Sequence, residues 1–106
     1  MRQSFRSENH LDAEGNPRGG YVSGTGISIS WQSGPLGRGA DRKEPNGAFV
    51  ETVISAALQR LEHYQSTRFF CTENQSAIEH LTLALSYLER RSNEREGRGV
   101  EGTHQV

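Results

Sequence analysis

Of the 34 apolar residues in this 106-residue chain, 21 lie in the 45 residues from Gly47 to Arg91. Folding is driven by apolar area removed from water, so the packed part of the molecule has to form there. Val50, Val53, Ile54, Ala57, Leu58 and Leu61 recur at the steps of three and one that put side chains on one face of a helix. The pattern predicts a helix over 47–65, with Asn46 capping its first turn. Residues 66–71 turn the chain. Thr72-Glu73-Asn74-Gln75 then has the form of a capping box, with an acidic residue where the helix dipole favours it. Gly97 and Gly99, after a last turn holding Arg90, Arg91 and Arg95, end a second helix over 72–96, on the order of 36 Å long.

The N-terminal half is built differently. Residues 1–19 hold only Met1, Phe5, Leu11 and Ala13 as apolar members, with neither a helical nor a strand period, and are expected to form a flexible tail. Ile27, Ile29 and Trp31 alternate with Ser28, Ser30 and Gln32, which predicts a strand with one apolar face; Tyr21 and Val22 supply its partner in an antiparallel β-ribbon over 20–35. The loop 36–46 is rich in turn formers and long for so small a domain, which favours a functional or flexible role. Residues 97–106 form a C-terminal loop. The expected fold is α+β: a short N-terminal antiparallel β-ribbon followed by a long antiparallel helical hairpin, in one domain over 20–104. Phe49, Ala56, Leu83 and Tyr87 fall off the main stripes, and so few elements cannot cover them all, so the hairpins are expected to pack against each other in a homo-oligomer.

Composition removes several classes of function. Twelve Lys and Arg against thirteen Asp and Glu leave a net charge of −1, without the basic excess that holds duplex nucleic acid or an anionic membrane. Eight acidic residues among the last 60 also argue against a nucleic-acid binder at the arginine end. The apolar stretch Val53–Leu58, interrupted by Ser55, falls far short of the roughly 20 residues needed to cross a bilayer, and residues 1–20 lack an apolar signal-peptide core, so a cytoplasmic protein is expected. Cys71 stands alone and is expected to be a half-buried structural residue. No nucleophile elbow, H-E-x-x-H or phosphate loop occurs, His10, His63, His80 and His104 are scattered, and Gly24-Thr25-Gly26 lacks the rest of a dinucleotide fingerprint. No enzyme, metal site or cofactor is expected.

Alternating steps of three and four along the second helix pick out Asn74, Ala77, Leu81, Ala84, Leu88, Arg91 and Arg95, and a further step reaches Arg98. This seam is apolar in its middle, carries an amide at one end and guanidiniums at the other. The arginines read in two ways: as a solvated helix end that complements the dipole, with Glu94 and Glu96 as ion-pair partners, or as an anion site, since guanidiniums make paired hydrogen bonds to phosphate oxygens. Asn74 is equally open to an ordinary first-turn role. Tyr64, at the end of the first helix, lies near Asn74 if the hairpin closes, and serves either to stack on a base or to edge the core. Asn74 and Arg91 are seventeen residues apart, roughly 25 Å along a helix, so one small ligand reaches both only if two chains build the site.

A set of ordered motifs then resembles a known family. Gly20-Tyr21-Val22, the run from Ile27 through Trp31 to Gly34-Pro35, Asn46-Gly47, Arg60-Leu61-Glu62-His63-Tyr64-Gln65, Glu73-Asn74 and the closing run from Arg95 to His104 are similar to those of the phage Thoeris anti-defence sponge proteins, which share a helical hairpin with the anti-CBASS sponges. The resemblance covers residues 20–104. It implies a protein without enzymatic activity that forms dimers or hexamers in the cytoplasm of the infected bacterial host. There it would trap cyclic ADP-ribose isomers and, in some members, cyclic di- and trinucleotides made by bacterial immune systems. Position by position it implies ligand-binding roles for Tyr64, Asn74, Arg91 and Arg95, with Arg98, Thr103 and Trp31 in the same matched stretches, and leaves Arg38 and Arg42 of the loop as further candidates for a phosphate. The competing reading is an oligomeric helical-hairpin adaptor that binds another protein through Leu83 and Tyr87, with no nucleotide affinity.

Overall fold

The computed structural model describes residues 4–106. Three strands, β1 (Arg6–Leu11), β2 (Pro17–Gly24) and β3 (Ile27–Trp31), form one antiparallel sheet in the order β1-β2-β3. Two helices follow, α1 (Val50–Gln65) and α2 (Thr72–Gly97). The α+β class stands, but the ribbon has a third strand. The chain divides into two compact units: one joins the chain up to Phe49 with Val100–Val106, and the other is Val50–Gly99.

In the sheet unit, β3 alternates as its sequence requires, with Ile27, Ile29 and Trp31 half-buried and Ser28 and Ser30 exposed. Tyr21 pairs with Ser30 and Gly20 with Trp31. The expectation of a flexible tail over 1–19 is overturned for the described residues, since β1 and the start of β2 occupy them; residues 1–3 lie outside the description. All six residues of β1 are exposed, so no apolar period marks this strand. What holds it is the backbone ladder to β2 and the turn between them. There the Asp12 carboxylate accepts from the Glu14 and Asn16 amides, each at 2.9 Å, and from the Asn16 side chain at 3.2 Å. Gly20 faces Asn9 across the pairing with φ of +134°, and a Cβ there would run into the Glu8 carbonyl oxygen, so this position admits little but glycine.

In the helical unit, the stripe is one-sided. Val53, Ile54, Leu58, Leu61 and Gln65 of α1 are half-buried, as are Asn74, Ala77, Ile78, Leu81, Ala84, Leu85 and Leu88 of α2. The α2 seam is therefore borne out over its apolar length, whereas Val50 and Ala57, expected on the α1 stripe, are exposed. α1 and α2 lie against each other, joined by a turn too short for anything but an antiparallel hairpin. Neither helix contains a buried residue; among the described residues the one buried apolar side chain is Val100, in the other unit, at 8% exposure.

The second helix starts at Thr72 as expected, but the start of the first and the caps of both need correction. α1 begins at Val50, three residues late, because the Asn46 side chain is used elsewhere: its Oδ1 accepts from Ser33 N at 2.8 Å and its Nδ2 donates to Ser33 O at 3.0 Å. The cap of α2 is Cys71, not Thr72, with Sγ accepting from Asn74 N at 3.4 Å. Cys71 is half-buried, as expected, and its carbonyl and amide are both held by the Gln65 side chain, at 3.1 and 3.0 Å. Those two bonds close the hairpin. No helix among the described residues is long and apolar enough to cross a membrane.

Candidate functional site

At the turn end of the hairpin, the Gln65–Cys71 bonds bring the last turn of α1 to the first turn of α2, so Tyr64 and Asn74 share one end of the unit, as the closed hairpin requires. Tyr64 is exposed at 38%, and the Arg60 guanidinium sits over its ring, 4.8 Å from the centroid. Arg60 thus adds a cation to this end that the reading of the sequence left out; its signal was the spacing of four from Tyr64 on one helix. The half-buried Asn74 side chain touches Phe69 O at 3.5 Å, a long and weak contact. Phe69 and Phe70, exposed at 65% and 69%, continue the aromatic surface, with Arg68 over Phe69 at 4.7 Å.

The far end of α2 is cationic. Arg90 lies over the exposed Tyr87 ring at 5.2 Å, Arg91 is exposed and Arg95 half-buried. Arg98 makes a fork on the Glu94 carboxylate, through Nε to Oε1 and through Nη2 to Oε2 at 3.0 Å. That hydrogen bonding holds the Glu94 carboxyl below the ordinary glutamate range, helped by the nearby charges of Arg98, Arg95 and Arg91, and raises Arg98. Three of the predicted arginines therefore feel one carboxylate. For Arg98 the ion-pair reading matches the geometry, so an anion at this end meets a guanidinium already held by Glu94.

Two predicted residues belong to the sheet unit. Trp31, half-buried at the end of β3, lines a groove of about 590 Å³ with His10, Leu11, Arg18, Gly20 and Ser33. Thr103 is fixed within the C-terminal segment, its hydroxyl donating to Val100 O at 2.5 Å and accepting from Gln105 N at 3.2 Å. Arg38 and Arg42 are engaged inside this unit: Arg42 forks onto the Glu101 carboxylate at 2.7 and 3.0 Å, and Arg38 donates to Glu101 O at 3.0 Å. Among the described residues no cluster of His, Cys, Asp and Glu is arranged to hold a metal ion.

A three-stranded sheet followed by a hairpin with an aromatic–amide pair at one end and an arginine cluster at the other defines a small α+β protein with a polar, cation-bearing hairpin. Over 78 residues it is 40% identical to "Thoeris anti-defense 1" of Bacillus phage SBSphiJ7, a match that takes in 74% of this chain and 52% of that protein. That similarity supports the Thoeris anti-defence family, which the ordered motifs resemble. It spans about half the length of the curated relative it matches. No family profile matches the chain.

Proposed function

We propose that this chain is a phage-encoded anti-defence protein that binds and sequesters cyclic nucleotide immune signals, cyclic ADP-ribose isomers first and cyclic di- and trinucleotides second, without cleaving them. The observation that carries the reading is the 40% identity to a Thoeris anti-defence protein. The hairpin supports it physically. Tyr64, Asn74 and Arg60 at one end offer a stacking ring, an amide and a cation; Arg91 and Arg95 at the other offer charge-assisted donors for phosphate.

Seventeen residues of helix separate Asn74 from Arg91, roughly 25 Å, so the two ends meet one ligand only when a second copy runs antiparallel to the first. The homo-oligomer, a dimer or hexamer, follows from the same need and from helices without a buried residue, whose exposed Leu83 and Tyr87 leave apolar area for a second chain to cover. A sequestering protein has to hold its ligand at nanomolar strength, about −12 kcal/mol, and charged hydrogen bonds at roughly 1.5–3 kcal/mol each reach that only when several converge with stacking.

The test is to mix the purified protein with a panel of cyclic ADP-ribose isomers and cyclic di- and trinucleotides, wash, heat-denature and identify what is released by mass spectrometry. Intact ligand is the expected result. Altered ligand would mean catalysis. With no ligand retained, the exposure of Leu83 at 53% and Tyr87 at 58% favours the second reading, an adaptor that binds another protein through that face.

A further inference from the structure

The loop 36–45 and the C-terminal segment are about 60 residues apart in sequence and fastened together in the sheet unit. Gly37 N donates to Gly102 O at 2.8 Å, and Lys43 N closes the loop onto Leu36 O at 2.7 Å. Arg42 reaches the Glu101 carboxylate with both terminal nitrogens and touches Gly37 O at 3.2 Å, while Arg38 takes the Glu101 carbonyl. Gly102, with φ of +79°, lies so close that a Cβ would strike the Gly37 carbonyl oxygen. Val100, buried on the other side of Glu101, anchors the segment. An isolated exposed ion pair contributes little, but here a two-toothed fork, two further hydrogen bonds and a buried side chain act on three consecutive residues, Val100, Glu101 and Gly102.

We propose that Glu101, gripped by Arg42, is a positioning residue: it locks the C-terminal segment in the one conformation that presents Thr103 and orders the loop 36–45 in the same act. The Thr103 hydroxyl and amide are tied to Val100 O, one residue before the gripped carboxylate. Loss of the grip therefore frees Thr103 through the backbone. The latch stands on this geometry alone, and its effect on ligand residence rests on the sequestering function proposed above.

The experiment is amide hydrogen exchange by NMR on the full chain, with ligand dissociation as a second arm. Glu101→Gln should speed exchange at the Gly37, Thr103 and Gln105 amides at least tenfold and leave residues 54–97 unchanged. Arg42→Lys, which keeps the charge and loses the fork, should fall between that and wild type. The exchanged pair Arg42→Glu with Glu101→Arg should bring protection back to within threefold of wild type. A merely local packing role would not show that rescue. Unchanged exchange in both single variants, or a double variant no better than the singles, overturns the latch; should Glu101→Gln fail to fold by helix circular dichroism, Arg42→Lys decides. In the second arm, Glu101→Gln should release the nucleotide at least fivefold faster, and an unchanged off-rate removes the positioning of Thr103. If wild-type protein retains no cyclic nucleotide, the proposed function falls, and the exchange arm still judges the latch.

Discussion

The two units of this protein are held together by different chemistry. The hairpin rests on a single apolar stripe, Ile54, Leu58 and Leu61 on α1 with Ala77, Leu81, Ala84 and Leu88 on α2, and the Gln65 side chain closes it at the turn. The sheet unit has an exposed first strand, one buried apolar residue among those described, a carboxylate-centred turn at Asp12 and a salt-bridged fastening at Glu101. The difference shows which features a hydrophobic pattern records. A stripe announces itself at a fixed period, whereas a turn and an ion pair between distant residues leave no period at all.

The largest effect should come from breaking the stripe. Leu81→Asp sets a carboxylate in the middle of the half-buried seam, where the surrounding apolar side chains offer it no partner. A cost on the order of 3 kcal/mol is expected, read as a fall in the thermal midpoint of the helical circular dichroism signal. The same substitution should also lower the mass of the proposed homo-oligomer measured by light scattering. A helical signal as stable as wild type would mean that the stripe does not carry the hairpin.

Next comes the strand that no period marked. Gly20→Ala forces a Cβ onto the Glu8 carbonyl and a side chain into left-handed backbone, at a cost of ~1–3 kcal/mol. Exchange at the β1 amides should rise sharply while the amides of α1 and α2 stay protected. If residues 6–11 were the flexible tail that their composition suggests, the substitution would change nothing there. The third effect bears on function: Asn74→Ala or Arg91→Ala should weaken nucleotide binding at least tenfold, about 1.4 kcal/mol, with the assembly intact by scattering. Wild-type affinity in both variants takes these residues out of the site.

How much of this was legible follows from the same contrast. The apolar length of the α2 seam was readable residue by residue, because Ala77, Leu81, Ala84 and Leu88 sit at fixed steps and the structure half-buries each of them. The shared end of Tyr64 and Asn74 followed from a short turn. The cap assignments failed because a capping side chain competes among local acceptors: Asn46 found Ser33, thirteen residues back, and Cys71 took the place that Thr72 was given. Strand β1 was missed because Arg6, Ser7, Glu8, Asn9 and His10 are paired to β2 through the backbone ladder, and the clue lay in Asp12, Gly15 and Asn16, a turn signal between two polar stretches. Nothing at Arg42 points to Glu101, since an ion pair closed across 59 residues is a property of the fold. The arginines at the end of α2 stayed ambiguous for an electrostatic reason: Glu94 within one helical turn satisfies Arg98 whether or not a ligand also comes to Arg91 and Arg95.

The smallest effect separates the two units by pH. The Asp12 carboxyl is held below the ordinary aspartate range, chiefly by the hydrogen bond from the Asn16 backbone; burial, the next largest effect, opposes it, and the Asn16 side chain, the Glu14 amide and the His104 charge add to the lowering. Its folded value lies below its unfolded one, so its contribution to the β1–β2 turn is fully present above the unfolded value and is lost as pH falls through the folded one. Glu94 behaves in the same sense at the end of α2, with Arg98 as its partner. Acidification through this window should therefore loosen both places in wild-type protein, seen as faster amide exchange at Asn16 and at Arg98 after correction for the intrinsic pH dependence. Asp12→Asn should remove the pH dependence at Asn16 and leave that at Arg98 untouched, since the two carboxylates hold separate segments. A variant in which both sites still respond to acid, or both stop responding, would show that the turn and the helix end are not independent supports.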